Sequence, residues 1–142
     1  MRQTHPTANV VYEGVHIRLT VERPARGVVV VHLAGWDSGE LGDVPMRELA
    51  ADLAAGPLVE LFIDAHEVKG ASLEVSAEWS QWLAGHRSQF KQVAMLTGSP
   101  FIQLTANFVR HYADLGEIMK IYTDPAAFNI ELAESVARAQ PA

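Results

Sequence analysis

Asp64, His66 and Glu67 are the residues whose types and spacing come closest to a reaction centre. They follow the apolar stretch 58–63, which is typical of a buried strand. A carboxylate beside an imidazole can orient it as a general base or help to bind a metal ion. Only one residue separates Asp64 from His66, however, and the sequence fixes no third ligand. Because an aspartate in this position commonly accepts hydrogen bonds from backbone N–H groups, we favour a structural cap. A hydrolase or metalloenzyme using Asp64 and His66 stays as an alternative.

Ser72 lies where the next helix is expected to begin. Its hydroxyl is suited to capping the helix N-terminus, which is worth about 1 kcal/mol. A phosphate on Ser72 would also interact favourably with the helix dipole. We favour the plain cap and keep Ser72 as a candidate phosphosite.

Other catalytic and binding motifs are missing from the sequence. The six histidines form neither a His-x-x-x-His nor a His-Glu-x-x-His pattern, and there are no cysteines. No glycine-rich nucleotide-binding loop or Gly-x-Ser-x-Gly stretch is present. We therefore predict no catalytic residue, no metal site and no cofactor.

The aromatic residues suggest packing or a surface. Five of them fall on two predicted helices, and the simplest interpretation is packing of those helices on a sheet. The alternative is an exposed aromatic surface that forms a dimer face or an apolar pocket. Trp79 and Trp82 are three residues apart on one helix face, so they are expected to be buried or exposed together. The group comprises Trp36, Trp79, Trp82, Phe101, Phe108 and Tyr112.

The elements that would position these residues predict an α/β fold. Alternating apolar residues over 15–21 and a β-branched run over 28–33, joined by a turn, predict an antiparallel hairpin, with a further short strand possible at 10–12. Helices and strands then alternate, which predicts right-handed parallel crossovers. We expect a mixed, mostly parallel sheet of about five strands with helices packed around it. The later helices are predicted over 43–54, 73–87, from 100 and over 126–137, and the later strands over 58–64, 93–96 and 117–122.

Length and composition limit the class of protein. The 142 residues fit a single domain over 1–142, with 1–9 and 138–142 expected to fray. The net charge of −6 and the scattered basic residues argue against nucleic-acid binding. We find no stretch long and apolar enough to span a membrane and no signal peptide, so we expect a cytoplasmic protein.

Three segments resemble the STAS and SpoIIAA-like families, whose founding members are bacterial anti-sigma-factor antagonists. The first is the strand Val-Val-Val-Val-His-Leu-Ala-Gly-Trp-Asp ending at Asp37, and the second is the strand Leu-Phe-Ile-Asp ending at Asp64. The third is 79–94, a helix with Trp-x-x-Trp-Leu followed by Phe-Lys-Gln-Val-Ala, together with 122–133. The third segment is closer to the SpoIIAA-like branch. The likeness covers about 15–134 and implies the mixed-sheet fold with an N-terminal hairpin. The antagonists carry an Asp-Ser-Ser-Gly-like element after the second of these strands, and this chain does not.

The resemblance and the missing catalytic set together predict a non-enzymatic regulatory domain. We expect it to bind a protein partner, or a second copy as a homodimer, through strand-end loops and the helix that follows. The residues predicted to contact the partner are His66, Glu67, Lys69, Ser72 and Trp79. A carrier of a small apolar or lipid-like ligand is the alternative, because the SpoIIAA-like branch shares its architecture with lipid-transfer domains.

Overall fold

The protein forms a six-stranded mixed sheet with helices on both faces. The structure, a computed structural model, describes residues 9–56 and 58–139. The strands are β1 (Val10–Glu13), β2 (Ile17–Ala25), β3 (Val28–Asp37), β4 (Val59–Ala71), β5 (Phe90–Thr97) and β6 (Met119–Tyr122). The helices are α1 (Val44–Ala55), α2 (Leu73–Gly85), α3 (Pro100–Tyr112) and α4 (Pro125–Ala139), with a short 3₁₀ turn at Arg87–Gln89.

The strands lie in the sheet in the order in which they occur along the chain. The pairs β1–β2 and β2–β3 are antiparallel, and β3–β4, β4–β5 and β5–β6 are parallel. The predicted hairpin is therefore confirmed as β2–β3. The sheet has six strands instead of about five because the short strand suggested near Val10 does form.

Two hydrophobic clusters lie on opposite faces of the sheet. On one face, α1, α2 and α3 bury Leu53, Trp79 and Ala106 against the odd-numbered valines of β3. On the other face, α4 buries Phe128 against the even-numbered valines and Phe62. This two-sided burial explains the almost continuous apolar sequence of β3 and β4.

The strand β4 is much longer than predicted. The expected strand over 58–64 continues to Ala71, so most of the expected polar loop after Asp64 is β-structure. The reason is that β3 also continues, to Asp37, and the two extensions pair with each other: Gly35 lies opposite Val68 and Asp37 opposite Ala71. Irregularities in the register accompany this added pairing.

The chain ends differ in part from the prediction. Residues 138–142 are expected to fray, yet α4 includes Arg138 and Ala139. Residues 1–8 and 140–142 lie outside the described part of the chain. No helix in the described ranges is long and apolar enough to cross a membrane.

A buried ion cluster joins α1 to the antiparallel part of the sheet. Arg23 lies 2.9 Å from Asp52 through Nε and 2.8 Å from Glu48 through Nη2. Tyr12 donates its hydroxyl hydrogen to Glu48 over 2.6 Å. These bonds connect β1, β2 and α1. The hydrogen bond to Asp52, together with the one to Glu48, holds the pKa of Arg23 above its ordinary value.

Candidate functional site at the carboxyl edge of the sheet

The carboxyl edge is the place where β3, β4 and β5 end and α2 and α3 begin. Ser72 N–H donates to the Asp37 carbonyl over 2.9 Å, which ties the start of α2 to the end of β3. At Gly98, a Cβ atom would lie 2.1 Å from the His66 carbonyl oxygen. The turn before α3 therefore packs against β4 through bare backbone. In open α/β sheets this edge is where ligands and partners usually bind.

Ser72 is the N-cap of α2, as the sequence predicts. Its Oγ accepts a hydrogen bond from Val75 N–H over 3.2 Å. Its carbonyl accepts one from the Ser76 hydroxyl, also over 3.2 Å. Modification of Ser72 stays a prediction.

Asp64 contacts a different imidazole from the one predicted. Its Oδ1 accepts a hydrogen bond from the backbone N–H of His66 over 3.0 Å, so the predicted capping role is present. Its Oδ2 lies 3.1 Å from Nδ1 of His32, on the neighbouring strand. The sequence missed this pair because His32 and Asp64 are remote in sequence and become neighbours only in the β3–β4 register.

His32 lies between two carboxylates. Its Nε2 is 2.9 Å from Glu22 Oε1, on the opposite side from Asp64. The hydrogen bond with Asp64, aided by Glu22, raises the pKa of His32 against the effect of burial. The same bond holds the pKa of Asp64 below its ordinary value. When the ring is protonated both nitrogens donate, and such an imidazolium has no lone pair for a base or a metal ligand.

A cleft of about 210 Å³ opens beside His32. It is smaller than the ~300–1,000 Å³ of typical small-molecule sites. No group of three or more His, Asp or Glu side chains is arranged to hold a metal ion anywhere within 9–56 and 58–139. The lining residues are Arg18, Thr20, His32, Leu33, Ala34, Asp64 and Glu67.

The predicted partner-contacting residues separate into a surface group and a buried one. His66, Glu67 and Lys69 are exposed on β4, and Ser72 is half-buried. Trp79 belongs to the core of the three-helix face, so its ring is not available to a partner. Trp79 differs in this from the other four residues, because it lies on the sheet-facing side of α2.

Trp36 and Leu73 are the large apolar residues that the carboxyl edge does expose. Trp36, at the end of β3, is 51% exposed, and Leu73, at the start of α2, is 86% exposed. The Trp36 ring lies against Gly70, where an added Cβ would come within 2.2 Å of the ring. Neither Trp36 nor Leu73 was among the predicted site residues. The sequence named Trp36 only as a member of the aromatic group, and its position opposite Gly70 follows from the β3–β4 register.

The aromatic group is divided between core and surface. Trp79 is buried and Trp82 is half-buried, so the two tryptophans are only roughly alike in burial, although they were expected to be alike. The Trp82 ring lies 6.2 Å from that of Trp79 and 5.8 Å from that of Phe90. On α3 the aromatic residues are exposed, and the helix faces the core with Ile102 and Ala106 instead.

An apolar cavity lies between α2, α3 and the sheet. Its volume is about 70 Å³, with Trp79 and Met95 in its wall and Asp37 at its margin. Burial raises the pKa of Asp37, although a hydrogen bond from Gly39 N–H opposes this. A volume this small is well below that of typical ligand pockets, and it does not accommodate a lipid chain.

The comparisons with known proteins identify the fold. No protein-family model and no curated protein matches the chain. Among solved structures, it is similar to an uncharacterised Shewanella loihica PV-4 protein of the DUF3478 family with a SpoIIAA-like fold. The TM-score is 0.57 at 19% identity, and the match covers 85% of this chain and 98% of the other.

Two further structures have the same architecture. An anti-sigma factor antagonist from Mycobacterium paratuberculosis matches with a TM-score of 0.53 at 18% identity, over 82% of this chain and 94% of the other. The anti-sigma factor antagonist SpoIIAA in its unphosphorylated form matches with a TM-score of 0.53 at 14% identity, over 81% and 96%. The chain has the SpoIIAA-like fold, and the resemblance seen in the sequence is confirmed at that level.

Proposed function

We propose that this chain is a non-enzymatic regulatory domain that binds a protein partner at its carboxyl edge. The observation that carries the proposal is Trp36, an exposed tryptophan held against the bare backbone of Gly70. Leu73 adds a second exposed apolar side chain at this edge, which also carries the exposed polar residues His66, Glu67 and Lys69. An apolar centre with a polar rim is the usual anatomy of a protein interface.

A tryptophan that is already positioned is well suited to binding. Tryptophan is among the residues that most often dominate interface energies. A ring fixed by its contact with Gly70 loses little conformational freedom when a partner covers it, so less of the binding energy is spent on ordering. The names of two structural relatives describe antagonists of an anti-sigma factor, which is an action on another protein. We expect the partner to be cytoplasmic.

The rival functions have less support. The imidazole at Asp64 is held by two carboxylates and has no free nitrogen, which disfavours a hydrolase built on Asp64. The apolar cavity is too small for a lipid-like ligand. Ser72 lies beside the proposed surface, and it stays a candidate phosphosite through which binding would be regulated.

The test is a comparative affinity capture from the organism that makes the protein. Wild type, Trp36→Ala and Leu73→Gln are immobilised at equal density, and the bound proteins are quantified by mass spectrometry. We expect at least one protein to be retained by the wild type and depleted about tenfold or more by both variants, as for loss of an interface anchor.

Ile130→Gln is the matched control. Ile130 is an apolar side chain that is 61% exposed on α4, a helix that contributes no residue to the proposed surface. Its replacement should leave the captured protein unchanged. Equal capture by all four proteins would overturn the proposal, because binding of the captured protein would then not depend on Trp36 or Leu73.

A further inference from the structure

Four large apolar side chains of α3 are exposed and form a stripe along the helix. We define it by its four residues, which are between 51% and 70% exposed: Phe101, Leu104, Phe108 and Tyr112. The stripe lies on one side of α3, and the buried residues Ile102, Ala106 and Val109 lie on another. No charged residue is part of it.

α3 lies at one margin of its helix layer. It connects β5 to β6, and β6 is the last strand of the sheet. On its inner side α3 packs against α2 and against β4, β5 and β6. Its outer side carries the exposed stripe, along which a second helix could lie lengthwise.

The spacing of the stripe is self-complementary. Phe101 and Tyr112 are centred on position 106.5, and Leu104 and Phe108 on position 106, from their residue numbers. Two antiparallel copies of α3 related by a two-fold axis at this centre would set Phe101 against the second copy's Tyr112, and Leu104 against its Phe108. A two-fold interface requires just such a patch, which serves as its own complement.

The stripe supplies about two thirds of the area that a stable dimer interface needs. Large aromatic side chains present roughly 150–250 Å² each, so four side chains exposed by half or more offer about 400 Å². Two copies would then bury about 800 Å² from the stripe, and the flanking polar residues would bring the total to the ~1,200 Å² at which stable interfaces begin.

The charges around the stripe are compatible with this arrangement. Arg110 is engaged with Asn107 of its own helix over 2.9 Å. At about 3.6 residues per turn, Arg110 and Gln103 both lie on the side of α3 away from the stripe, so Arg110 stays outside the interface. No like charges would therefore meet across the stripe, and the dipoles of the two helices would be opposed.

We propose that this chain forms a two-fold homodimer through antiparallel pairing of α3. This surface runs along α3 and includes neither Trp36 nor Leu73, the two residues that test the proposed partner site. The two proposals can therefore fail independently: the dimer is tested by the oligomeric state, and the partner site is tested by affinity capture.

Sedimentation velocity over a range of concentrations tests the dimer. We expect the wild type to dimerise and Phe108→Glu to raise the dissociation constant at least about 30-fold, as for an interface hot spot. Ile130→Glu places the same charge on α4 and should dimerise as the wild type does. Circular dichroism checks that both variants are folded.

Cysteine cross-linking tests the register, since the natural chain has no cysteine. Thr105→Cys places a thiol beside the proposed two-fold axis, and Gln103→Cys places one on the far side of the same helix. Mild oxidation should give a covalent dimer of the Thr105→Cys variant and little covalent dimer of the Gln103→Cys variant. A wild type that stays monomeric at several hundred micromolar, a dimer insensitive to Phe108→Glu, or preferential cross-linking through residue 103 would each overturn the proposal.

Discussion

His32 illustrates how a residue that resembles a catalytic group can be a structural one. Its ring joins three strands, with Glu22 on β2 and Asp64 on β4. The remaining charged groups at the cleft are Arg18 and Glu67. Because each ring nitrogen faces a carboxylate oxygen, the protonated ring donates both hydrogen bonds and the neutral ring donates only one. The role of His32 should therefore appear in stability.

We predict a stability maximum in mildly acidic solution. The pKa of His32 is raised in the folded state, so its contribution is complete below the ordinary histidine value of 6.5 and is lost as the pH rises through the raised pKa. The pKa of Asp64 is lowered, so its contribution is complete above the ordinary value of 3.8 and is lost as the pH falls through the lowered pKa. Urea unfolding midpoints between pH 3 and 9 measure the effect.

NMR titration of the His32 ring tests whether the stability maximum arises from its contacts with Asp64 and Glu22. In Asp64→Asn, the His32 pKa should fall towards its ordinary value, and the loss of stability above pH 6.5 should diminish. A wild-type His32 that titrates at or below 6.5 would contradict the bonding described here.

Gly70 offers a second prediction at the scale of one residue. A Cβ at this position would meet the Trp36 ring, so Gly70→Ala should displace the ring. With 5-fluorotryptophan incorporated, the ¹⁹F resonance of Trp36 should shift clearly, and those of Trp79 and Trp82 should change little. Gly116→Ala is the control, because a Cβ there meets nothing within 4 Å. An unmoved Trp36 resonance would show that Gly70 does not hold the ring.

At the scale of single elements, α2 and α3 begin in the same way. Ser72 accepts a hydrogen bond from Val75 N–H, and Ser99 accepts one from Ile102 N–H, each over 3.2 Å. We predict that Ser72→Ala and Ser99→Ala each reduce the free energy of unfolding by about 1 kcal/mol. Urea denaturation measures this, and Ser72→Asp should preserve stability because aspartate caps as well as serine does. Equal losses in Ser72→Asp and Ser72→Ala would show that the cap is not the cause.

The helix α3 shows which part of the structure its sequence could not predict. Its position and start were predictable, because proline follows a serine cap after a short strand. The face that meets the sheet was not predictable in the same way. Two apolar stripes run along α3, and the larger side chains belong to the exposed one. α3 packs close to the sheet, and this favours a small residue, Ala106, on its inner face. The sequence of α3 alone does not show how close that packing is.

The strand β4 shows the same limit in a different form. Its apolar half was recognisable from the run before Asp64. Its second half, with exposed His66, Glu67 and Lys69, has the composition of a loop and is a strand because β3 extends beside it. For this reason the His32–Asp64 pair and the Trp36–Gly70 contact, which both depend on pairing between strands, were absent from the sequence prediction.

At the scale of the whole molecule, α4 closes the second face of the sheet. Phe128 packs edge-on against Phe62, with ring centroids 5.7 Å apart. At the other end of α4, Ser135 donates to the buried Glu60 over 2.8 Å, and Arg138 lies 3.2 Å from the same oxygen. Burial alone would raise the pKa of Glu60, but hydrogen bonds from Gln92, Ser135 and Arg138 outweigh it and keep this carboxylate below its ordinary pKa.

This arrangement predicts that the sheet cannot stay folded without α4. A chain ending at Asp124 would expose the buried side chains beneath the helix, namely Val28, Val30, Phe62, Ala94 and Leu96. We expect such a chain to bind a hydrophobic dye and to lose its cooperative unfolding transition. Phe128→Ala should reduce the free energy of unfolding by about 3–5 kcal/mol through loss of buried contacts and cavity formation. A chain ending at Ala139 retains all of α4 and serves as the control. If the chain ending at Asp124 unfolded as cooperatively as this control, the three-helix face alone would hold the sheet together, and α4 would be an accessory to the fold.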